Sequence, residues 1–494
     1  MKINTKNIAV FCSLLFSIST FAQFTQQSKL VSPERGSRDE FGTSVDIRGD
    51  FAISGTPRYD IAAGAAYIYT KDANGNWNYH QSLIPDDSKP MAEFGGAVKM
   101  TEDYIVVASG RADIGQTIRA GALYVYNRDE TNWNFSTKII TSDYSNDAML
   151  GMTHTSLDTE NNTIVAGAPG ENVWTGSVYV FEKNGGEWSE VQKILSPSPE
   201  EISSFGIGVA ISGNTLVIGA NEANNFIGAV YIYNKNANGQ WIFNQEITAA
   251  DGISGDYFGS SVSIDDNIIV VGAFGVNGVK GAAYVFKKND SGSWEELQKL
   301  TASTSIPDAH FGFQCDVAGA NLVVGAPHAW AFTLGEVFLF NENVSGQWEE
   351  TQIIQSNDIA VANFFGWSVA LYEDQIIAGA PWENTDENGN NPIDESGSAY
   401  IFKSPSLHTS DFNKKEASAL YYPNPTEKLL TIASTNKRIK TIKVVGVTGL
   451  LLKKHDEVNS VNFTLDIQHY SNGVYMVYVE FDDGSKSIQK IIKH

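Results

Sequence analysis

Cysteine is nearly absent from this chain of 494 residues, which contains only Cys12 and Cys315. Cys12 lies in an apolar N-terminal stretch that we expect to be cleaved off, and it lacks the small preceding residues of a lipoprotein cleavage site. Cys315 then has no partner, so the mature chain can form no intrachain disulfide and must be stabilised by packing. Cys315 lies in a strand-like pattern, which favours an inert buried thiol over a nucleophile.

Long apolar segments are also missing. The stretch from Ile8 to Phe16 is too short to span a bilayer, and no other segment is long and apolar enough to be transmembrane. Two lysines precede this stretch, and residues 20–22 offer small side chains for cleavage before Gln23. The pattern predicts a secretory signal peptide over residues 1–22.

Basic residues are scarce. The chain has 34 Lys and Arg against 57 Asp and Glu, which gives a formal net charge of −23. Residues 23–413 carry 20 basic and 49 acidic side chains, whereas residues 414–494 carry 12 basic and 8 acidic ones. The acidic body would repel phosphates, which argues against nucleic acid as a partner and fits solubility outside the cell. The change of charge between the two parts indicates two domains.

Recognisable catalytic motifs are absent as well. The sequence has no nucleophile elbow, zinc-binding helix or phosphate-binding loop, and its eight His residues show no metal-ligand spacing. Carboxylates are numerous, so a catalytic pair that is assembled only in space stays open as an alternative.

What the sequence does contain is a repeat. A large residue followed by Gly recurs seven times, at steps of 53 to 56 residues. The pairs are Phe41-Gly42, Phe94-Gly95, Leu150-Gly151, Phe205-Gly206, Phe258-Gly259, Phe311-Gly312 and Phe365-Gly366. A period near 50 with strand-like content is typical of a solenoid or propeller, in which each repeat buries its apolar face against the next.

Each copy contains four strand patterns, as the fifth copy shows. Residues 258–264 alternate between apolar and polar, residues 268–271 are a continuous apolar run, and residues 281–286 and 294–300 follow as third and fourth strands. Four antiparallel strands make one propeller blade. The sequence therefore predicts an all-β, seven-bladed propeller over residues 23–403.

The outer strand of the last blade is missing from its expected place. A Trp opens the fourth strand in six copies and an apolar residue follows it by six positions, but no Trp follows Phe402. Phe24 and Leu30 reproduce that spacing at the start of the chain. We therefore expect residues 24–30 to complete the seventh blade and close the ring, which removes exposed sheet edges.

Two motifs together carry a resemblance to a known family. The Phe-Gly starts and the Gly-Ala-Pro triplets at 167–169, 325–327 and 379–381 resemble FG-GAP repeats, the family that includes the integrin α-subunit propeller. Short turns stand where many members carry calcium-binding Asp-x-Asp-x-Asp-Gly loops between the first two strands, so the resemblance does not carry those sites over. Residues 48–50 spell Arg-Gly-Asp, the sequence of a cell-attachment tripeptide, but they stand where a turn between first and second strands is expected and are interpreted as that turn.

A second domain is predicted beyond a linker at residues 404–418. Residues 419–494 contain several short strand patterns with turn signals, which predict a small Ig-like β-sandwich. The Tyr-Pro-Asn-Pro opening at 422–425, the strand at 473–477 and the basic end resemble the type A C-terminal sorting domain of type IX secretion substrates. The resemblance implies a Gram-negative host, contact with the type IX secretion machinery, and release from the cell or attachment to its outer surface.

Aromatic residues mark candidate ligand-binding positions. Trp174, Trp330 and Trp382 fall in the connections between second and third strands, on one face of the disc. Exposed rings there would stack on sugars or anchor a protein partner. The alternative is that they pack between blades.

One insertion in the seventh blade offers a candidate metal site. Oxygen-bearing side chains at Asp386, Asn388, Asn390 and Asp394 imitate part of a calcium loop, although the Gly is misplaced for an EF-hand and no Glu stands at the twelfth position. A solvated loop is the alternative. No cofactor is firmly predicted, and calcium is the only candidate.

These features together predict a secreted or surface-displayed binding or adhesion protein rather than an enzyme, with an extracellular protein or a glycan as ligand. Two alternatives stay open. A polysaccharide-acting enzyme would show His, Tyr, Arg and carboxylates at the mouth of the channel, and a structural component of a surface layer would self-associate.

Overall fold

The computed structural model describes residues 23–404 and 419–493, apart from residues 305, 328–333, 344, 359, 361–362, 427, 435–436, 447–450, 457, 472 and 483–485. Residues 24–404 form one compact unit, and the described residues from 419 onward belong to a second. The expected signal peptide and residues 405–418 of the expected linker lie outside the described residues.

The strands described within residues 24–404 pair into seven four-stranded antiparallel sheets. The first strand of each sheet lies against the first strands of both neighbouring sheets, and this series of contacts returns from the seventh sheet to the first. The first strands therefore surround a central channel, and the sheets are the blades of a closed propeller. The predicted fold class is confirmed.

The first four blades are built from consecutive strands. Blade 1 is β2 (Ser44–Arg48), β3 (Phe51–Thr56), β4 (Ala65–Lys71) and β5 (Trp77–Leu83). Blade 2 is β6 (Phe94–Met100), β7 (Tyr104–Ser109), β8 (Ala122–Asp129) and β9 (Asn132–Ile139). Blade 3 is β10 (Leu157–Glu160), β11 (Thr163–Ala168), β12 (Ser177–Asn184) and β13 (Glu187–Leu195). Blade 4 is β14 (Gly208–Ser212), β15 (Thr215–Ala220), β16 (Ala229–Lys235) and β17 (Trp241–Ile247).

The last blade takes its outer strand from the start of the unit. Blade 5 is β18 (Ser261–Asp265), β19 (Ile268–Ala273), β20 (Ala282–Lys288) and β21 (Trp294–Leu300). Blade 6 is β22 (Cys315–Ala318), β23 (Asn321–Ala326), β24 (Glu336–Glu342) and β25 (Trp348–Ile354). Blade 7 is β26 (Val369–Tyr372), β27 (Gln375–Ala380), β28 (Ser398–Lys403) and β1 (Thr25–Leu30).

Each Phe-Gly pair joins two blades. Phe41 is fully buried and forms a parallel bridge with Gly397 of the seventh blade. Gly42 has a φ of 93°, and a Cβ atom there would lie 2.3 Å from the carbonyl oxygen of Ser398. Only glycine tolerates both the positive φ and the close backbone, which explains why the pair recurs at every blade junction.

The N-terminal strand β1 lies antiparallel to β28, with Leu30 opposite Ala399. Phe24 and Leu30 are buried, at 5% and 2% exposure. The backbone N–H and C=O of Phe24 bond the side-chain amide of Gln352, both at 2.7 Å. At other blade junctions a Gln amide bonds the backbone of the outer-strand Trp in the same way, as Gln298 does with Trp348. Phe24 thus occupies the place of that Trp.

Among the described residues, four connections between second and third strands contain a left-handed turn. The segments are Tyr59–Ala62, Glu171–Trp174, Ala223–Phe226 and Val276–Val279. The backbone of the turn points carbonyl groups at the next blade: the Phe226 oxygen accepts the N–H groups of Gly255 and Tyr257, at 3.0 and 3.2 Å. Left-handed geometry costs a non-Gly residue about 1–2 kcal/mol, and these inter-blade hydrogen bonds offset part of that cost.

The second unit is a small β-sandwich. One sheet has three strands, in the order β29 (Ala419–Tyr422), β30 (Leu429–Ser434) and β33 (Asn462–Asp466). The other has four strands, in the order β32 (Leu451–His455), β31 (Ile439–Gly446), β34 (Gly473–Phe481) and β35 (Lys486–Lys493). Side chains from both sheets, such as Leu430, Leu465 and Val477, form one buried core. Burial alternates along β34, as expected for a strand with one face against that core.

Candidate ligand-binding face

The two ends of the propeller differ in their connections. One end, the loop-bearing face, holds the connections between second and third strands and those between blades. The other, the turn-bearing face, holds the short turns between first and second strands. The first strand of every blade runs from the loop-bearing face to the turn-bearing face, and together these strands line the channel.

Charged side chains fill the middle of the channel. Lys99, Asp158 and Asp316 line a cavity of about 250 Å³. The Lys99 Nζ atom lies 3.6 Å from Asp158 Oδ1. Burial acts to lower the pKa of Lys99, but the charges of Asp158, Asp46 and Asp316 outweigh it and raise that pKa. Lys99 is therefore held as a cation that balances part of the acidic charge.

The channel aspartates also join neighbouring blades. Each accepts a backbone N–H from the first strand of the next blade. The bonds are Met100 N to Asp46 Oδ2 (2.7 Å), Ile211 N to Asp158 Oδ2 (2.9 Å) and Leu371 N to Asp316 Oδ2 (2.7 Å). The first strand of a blade pairs with another strand along one edge only. The N–H groups on its other edge need different partners, and the carboxylates of the preceding blade supply them. These aspartates therefore have a structural role.

Aromatic side chains meet over the loop-bearing end of the channel. The His154 ring from blade 3 stacks on Phe313 of blade 6 at 5.8 Å and lies 6.2 Å from Trp367 of blade 7. The rings of Phe313 and Trp367 lie 4.5 Å apart. Blade 3 stands opposite blades 6 and 7 in the ring, so the three side chains cross the channel and close this mouth.

A local insertion brings His154 to that position. Ser156, at the start of the inner strand of blade 3, follows Leu150 by six positions, whereas Ser44 in blade 1 follows Phe41 by three. The additional residues carry the imidazole inward over the channel. Blade 3 is the only one of the seven Phe-Gly copies with this longer entry.

A continuous row of rings extends from this closure across blades 4 to 7. Successive ring centroids lie 4.2 to 5.9 Å apart. We call this row the aromatic band, and its members are Phe226, Tyr257, Phe274, His310, Phe313, His154, Trp367, Phe364 and Trp382. His310 and Phe364 are buried, while the other members are partly exposed, with Phe226 the most open at 36%. The band therefore presents ring surface to solvent.

Three buried polar atoms in or beside the band have no hydrogen-bond partner among the described residues. They are His154 Nε2, Trp367 Nε1 and Asn363 Nδ2. Asn363 lies next to the band, since its carbonyl oxygen accepts the N–H of Trp382 at 3.3 Å. A buried polar atom without a partner typically costs about 1–3 kcal/mol, so this part of the face offers unused hydrogen-bonding capacity.

The other half of the loop-bearing face is charged. At the position before Phe-Gly, where blades 5 to 7 carry rings of the band, blades 1 and 2 carry Glu40 and Glu93. Arg58 lies between them, 3.6 Å from Glu40 and 3.8 Å from Glu93, and Arg111 lies 3.3 Å from Glu93. The aromatic band is thus a distinct patch that a polar region borders on one side.

The predicted tryptophan positions are not brought together by the fold. Trp382 belongs to the aromatic band, with its ring 4.2 Å from Phe364. Trp174 is half-buried in the left-handed turn of blade 3, and no other ring lies against it within the described part of the chain. Trp330 lies outside the described residues.

The predicted calcium loop has the geometry of a hairpin turn. Asp386 Oδ1 accepts the N–H groups of Asn388 and Asn390 at 2.9 and 2.8 Å, and Oδ2 accepts the Asn391 side chain at 2.6 Å. Burial opposes the hydrogen bond from Asn390, but that bond prevails and the pKa of Asp386 is lowered. Asp394 lies 3.6 Å from Arg38 instead.

The same five-residue turn recurs between third and fourth strands. It begins at Asp72, Asn236, Asn289 and Asn343, and the first side chain accepts the same two N–H groups each time. Asn serves as well as Asp, so the turn does not depend on charge. Within the described residues no group of three His, Cys, Asp or Glu is placed to hold a metal. Calcium stays a prediction.

The turn-bearing mouth of the channel has a different chemistry. The Arg48 guanidinium lies 4.9 Å above the ring of Tyr372. Glu160 and Asp265 also line this end, and each carboxylate accepts a backbone N–H of the next blade, at 2.7 and 2.6 Å. The Arg-Gly-Asp sequence forms the turn between β2 and β3, where Asp50 pairs with Lys71 at 2.7 Å.

His154 offers a titration that tests the closed mouth. Burial, with a smaller contribution from the charge of Lys99, lowers the pKa of His154 to about 4. We expect its imidazole NMR resonance to titrate near pH 4 rather than near 6.5. Between about pH 6.5 and pH 4 the unfolded chain binds a proton at His154, whereas the folded chain does not. The free energy of unfolding therefore falls as the pH drops through this range. His154→Phe should remove that part of the pH dependence, and titration near 6.5 would contradict the buried placement.

Family models match segments in both units of the chain. Residues 24–69, 77–126, 188–233, 241–286 and 348–402 match the FG-GAP repeat, and residues 420–494 match the secretion system C-terminal sorting domain. No curated protein matches the chain. A crystal structure of a protein from Lactobacillus plantarum is 13% identical, with 84% of this chain and 99% of that one covered and a TM-score of 0.43.

The helical segments among the described residues are single turns of four residues, and none is long and apolar enough to cross a membrane. Five segments of the propeller match the FG-GAP repeat, and the sorting domain implies interaction with the type IX secretion machinery. The chain is therefore a secreted or cell-surface β-propeller protein that carries FG-GAP repeats and a C-terminal sorting domain.

Proposed function

We propose that this protein is an extracellular binding or adhesion module that holds its ligand on the aromatic band. The observation that carries the proposal is the continuity of the band, whose rings come from the five consecutive blades 3 to 7 and are partly exposed except for the buried His310 and Phe364. Aromatic side chains supply large contact areas with few rotatable bonds, and they are enriched among the residues that dominate binding energy.

Export would follow from the C-terminal unit. The sorting domain at residues 420–494 would deliver the propeller through the outer membrane of a Gram-negative host. The mature protein would then be released or remain attached to the outer surface, with the propeller exposed to extracellular proteins and glycans. A binding module in this place would attach the cell to its surroundings.

The distribution of charged groups supports binding over the enzymatic alternative. His154 and the residues Arg48, Glu160 and Asp265 line the same channel cavity, but at opposite ends of it. His154 lies among rings at the loop-bearing mouth, whereas Arg48, Tyr372, Glu160 and Asp265 lie at the turn-bearing mouth. The carboxylates of Glu160 and Asp265 accept backbone N–H groups between blades, which fits a structural use.

An array of immobilised glycans and extracellular proteins tests the proposal. The full-length secreted protein should bind at least one class of ligand, and the double change Trp367→Ala and Trp382→Ala should weaken that binding at least tenfold. The matched control is Phe135→Ala with Tyr79→Ala, which removes two rings that are 58% and 47% exposed on outer strands, away from the band. Equal loss in both variants, or none in the first, would refute the proposed site.

A further inference from the structure

We infer that the ligand of the aromatic band is a neutral, β-linked polysaccharide chain; this inference rests on the proposed binding function. The band combines two features, apolar ring surface and unpaired polar atoms, and few ligands match both. A pyranose ring matches both, since its C–H face packs on an aromatic ring while its hydroxyl groups donate and accept hydrogen bonds at the edge.

Two of the unpaired atoms lie where the band crosses the channel, since His154 Nε2 and Trp367 Nε1 belong to rings whose centroids are 6.2 Å apart. The third, Asn363 Nδ2, belongs to a residue whose backbone oxygen accepts the N–H of Trp382. An apolar protein side chain placed here would leave all three unsatisfied and lose about 1–3 kcal/mol for each. The three atoms are covered in the free protein, so a sugar hydroxyl reaches them only if the neighbouring rings shift on binding. It would then satisfy them, because a hydroxyl can meet either a donor or an acceptor.

The extent of the band favours a chain of sugars over a single residue. Rings from Phe226 in blade 4 to Trp382 in blade 7 follow one another without a gap. A β-1,4-linked chain is extended, so its successive sugars can follow the partly exposed rings of the band from blade 4 to blade 7. An α-1,4-linked chain coils and would contact fewer of them.

The charge of the protein favours a neutral chain. The formal net charge is −23, and Asp158 and Asp316 line the channel directly below the closure. Lys99 is already committed to the channel carboxylates, with its Nζ atom 3.6 Å from Asp158. A uronic acid polymer or a sulfated glycan would therefore meet repulsion at long range, and Lys99 would not be free to offset it.

The test uses the full-length protein and four hexasaccharides. Cellohexaose and chitohexaose are neutral and β-1,4-linked, maltohexaose is neutral and α-1,4-linked, and an alginate hexamer is anionic. We expect at least one of the first two to bind in calorimetry and to change tryptophan fluorescence, because Trp367 and Trp382 lie in the band. We expect maltohexaose and the alginate hexamer to bind at least tenfold more weakly.

One substitution separates sugar recognition from apolar packing. His154→Phe keeps a ring over the channel but removes Nε2, and we expect it to weaken hexasaccharide binding about tenfold with little change in melting temperature. Trp367→Phe is a second variant of this kind, because it keeps a ring but removes Nε1. It provides the same test if His154→Phe does not fold. Phe135→Ala, outside the band, should bind as the unchanged protein does.

The outcomes are distinguishable. Failure of both β-linked hexasaccharides to bind, or unchanged affinity in His154→Phe and Trp367→Phe, would overturn the glycan inference. If an array protein instead binds and depends on Trp367 and Trp382, the glycan inference is wrong and the proposed function stands. If hexasaccharides bind equally well to the Trp367→Ala and Trp382→Ala double variant, both are wrong.

Discussion

A chain that begins at residue 32 will lose cooperative unfolding or aggregate, whereas a chain that begins at residue 23 will melt in one sharp transition for the propeller. Removing β1 exposes the edge of β28 along its whole length and uncovers the apolar contacts of Phe24 and Leu30, which are 5% and 2% exposed. Exposed sheet edges invite intermolecular pairing. The loss should be far larger than that of any single surface substitution.

Differential scanning calorimetry and size-exclusion chromatography of the two chains measure this effect. A chain that begins at residue 24 is the control, because it keeps β1 and Phe24 while shortening the terminus. The substitution Leu30→Ala keeps β1 but removes one of its buried side chains, and it should lower the free energy of unfolding by about 2–5 kcal/mol. Identical melting curves for chains that begin at residues 23 and 32 would contradict closure of the ring through β1.

Lys29→Met should destabilise the propeller by about 3–5 kcal/mol. The Lys29 Nζ atom lies 2.6 Å from Asp358 and 2.9 Å from Glu383, and the side chains of Lys29 and Glu383 are 3% and 4% exposed. Removing the cation leaves these two carboxylates unpaired, one of them deeply buried. Urea unfolding at neutral pH measures the change.

The chain provides a matched control for this substitution. Lys299 occupies the equivalent place in blade 5, 2.6 Å from Asp251, but its side chain is 26% exposed and that of Asp251 is 58% exposed. Lys299→Met should cost no more than about 1 kcal/mol. Equal losses in the two variants would show that burial does not set the strength of the pair. The triple change that also replaces Asp358 by Asn and Glu383 by Gln should recover most of the loss from Lys29→Met.

The repeat made the fold predictable from sequence. Strand patterns, the Phe-Gly pairs and the outer-strand Trp positions all recur at one spacing, and each has a local physical cause. Gly42 shows the cause most clearly, since its positive φ and the adjacent Ser398 carbonyl exclude other side chains. The spacing from Phe24 to Leu30 predicted a strand for the same reason, and the structure pairs that strand with β28.

The aromatic band was not predictable in the same way. His154 lies more than 150 residues from Phe313 and Trp367 in the chain, and only the closed ring brings blades 3, 6 and 7 face to face. The useful signals were departures from the repeat. These are the longer entry of blade 3 and the aromatic residues beside Phe-Gly in blades 5 to 7. Neither departure belongs to the pattern that the seven copies share.

The ion-pair contacts between blades were missed for a related reason. In blades 2, 3 and 5 a Tyr of the third strand and a Lys of the fourth strand both bond one Asp from the preceding connection. In blade 5 these are Tyr284 and Lys299 with Asp251, at 2.8 and 2.6 Å. The hydrogen bond from Lys299 outweighs burial and lowers the pKa of Asp251. In these three blades the Asp lies 33 to 51 positions before its two partners, so the contact leaves no local pattern in the sequence, although a similar spacing recurs.

Hydrogen exchange on the full-length protein, with and without a ligand taken from the array, measures the central claim most directly. Binding to the aromatic band should protect peptides that contain residues 152–156, 311–314 and 364–368, and should leave the turns at residues 48–51 unchanged. Protection confined to the turn-bearing face, with none at those three segments, would contradict the account.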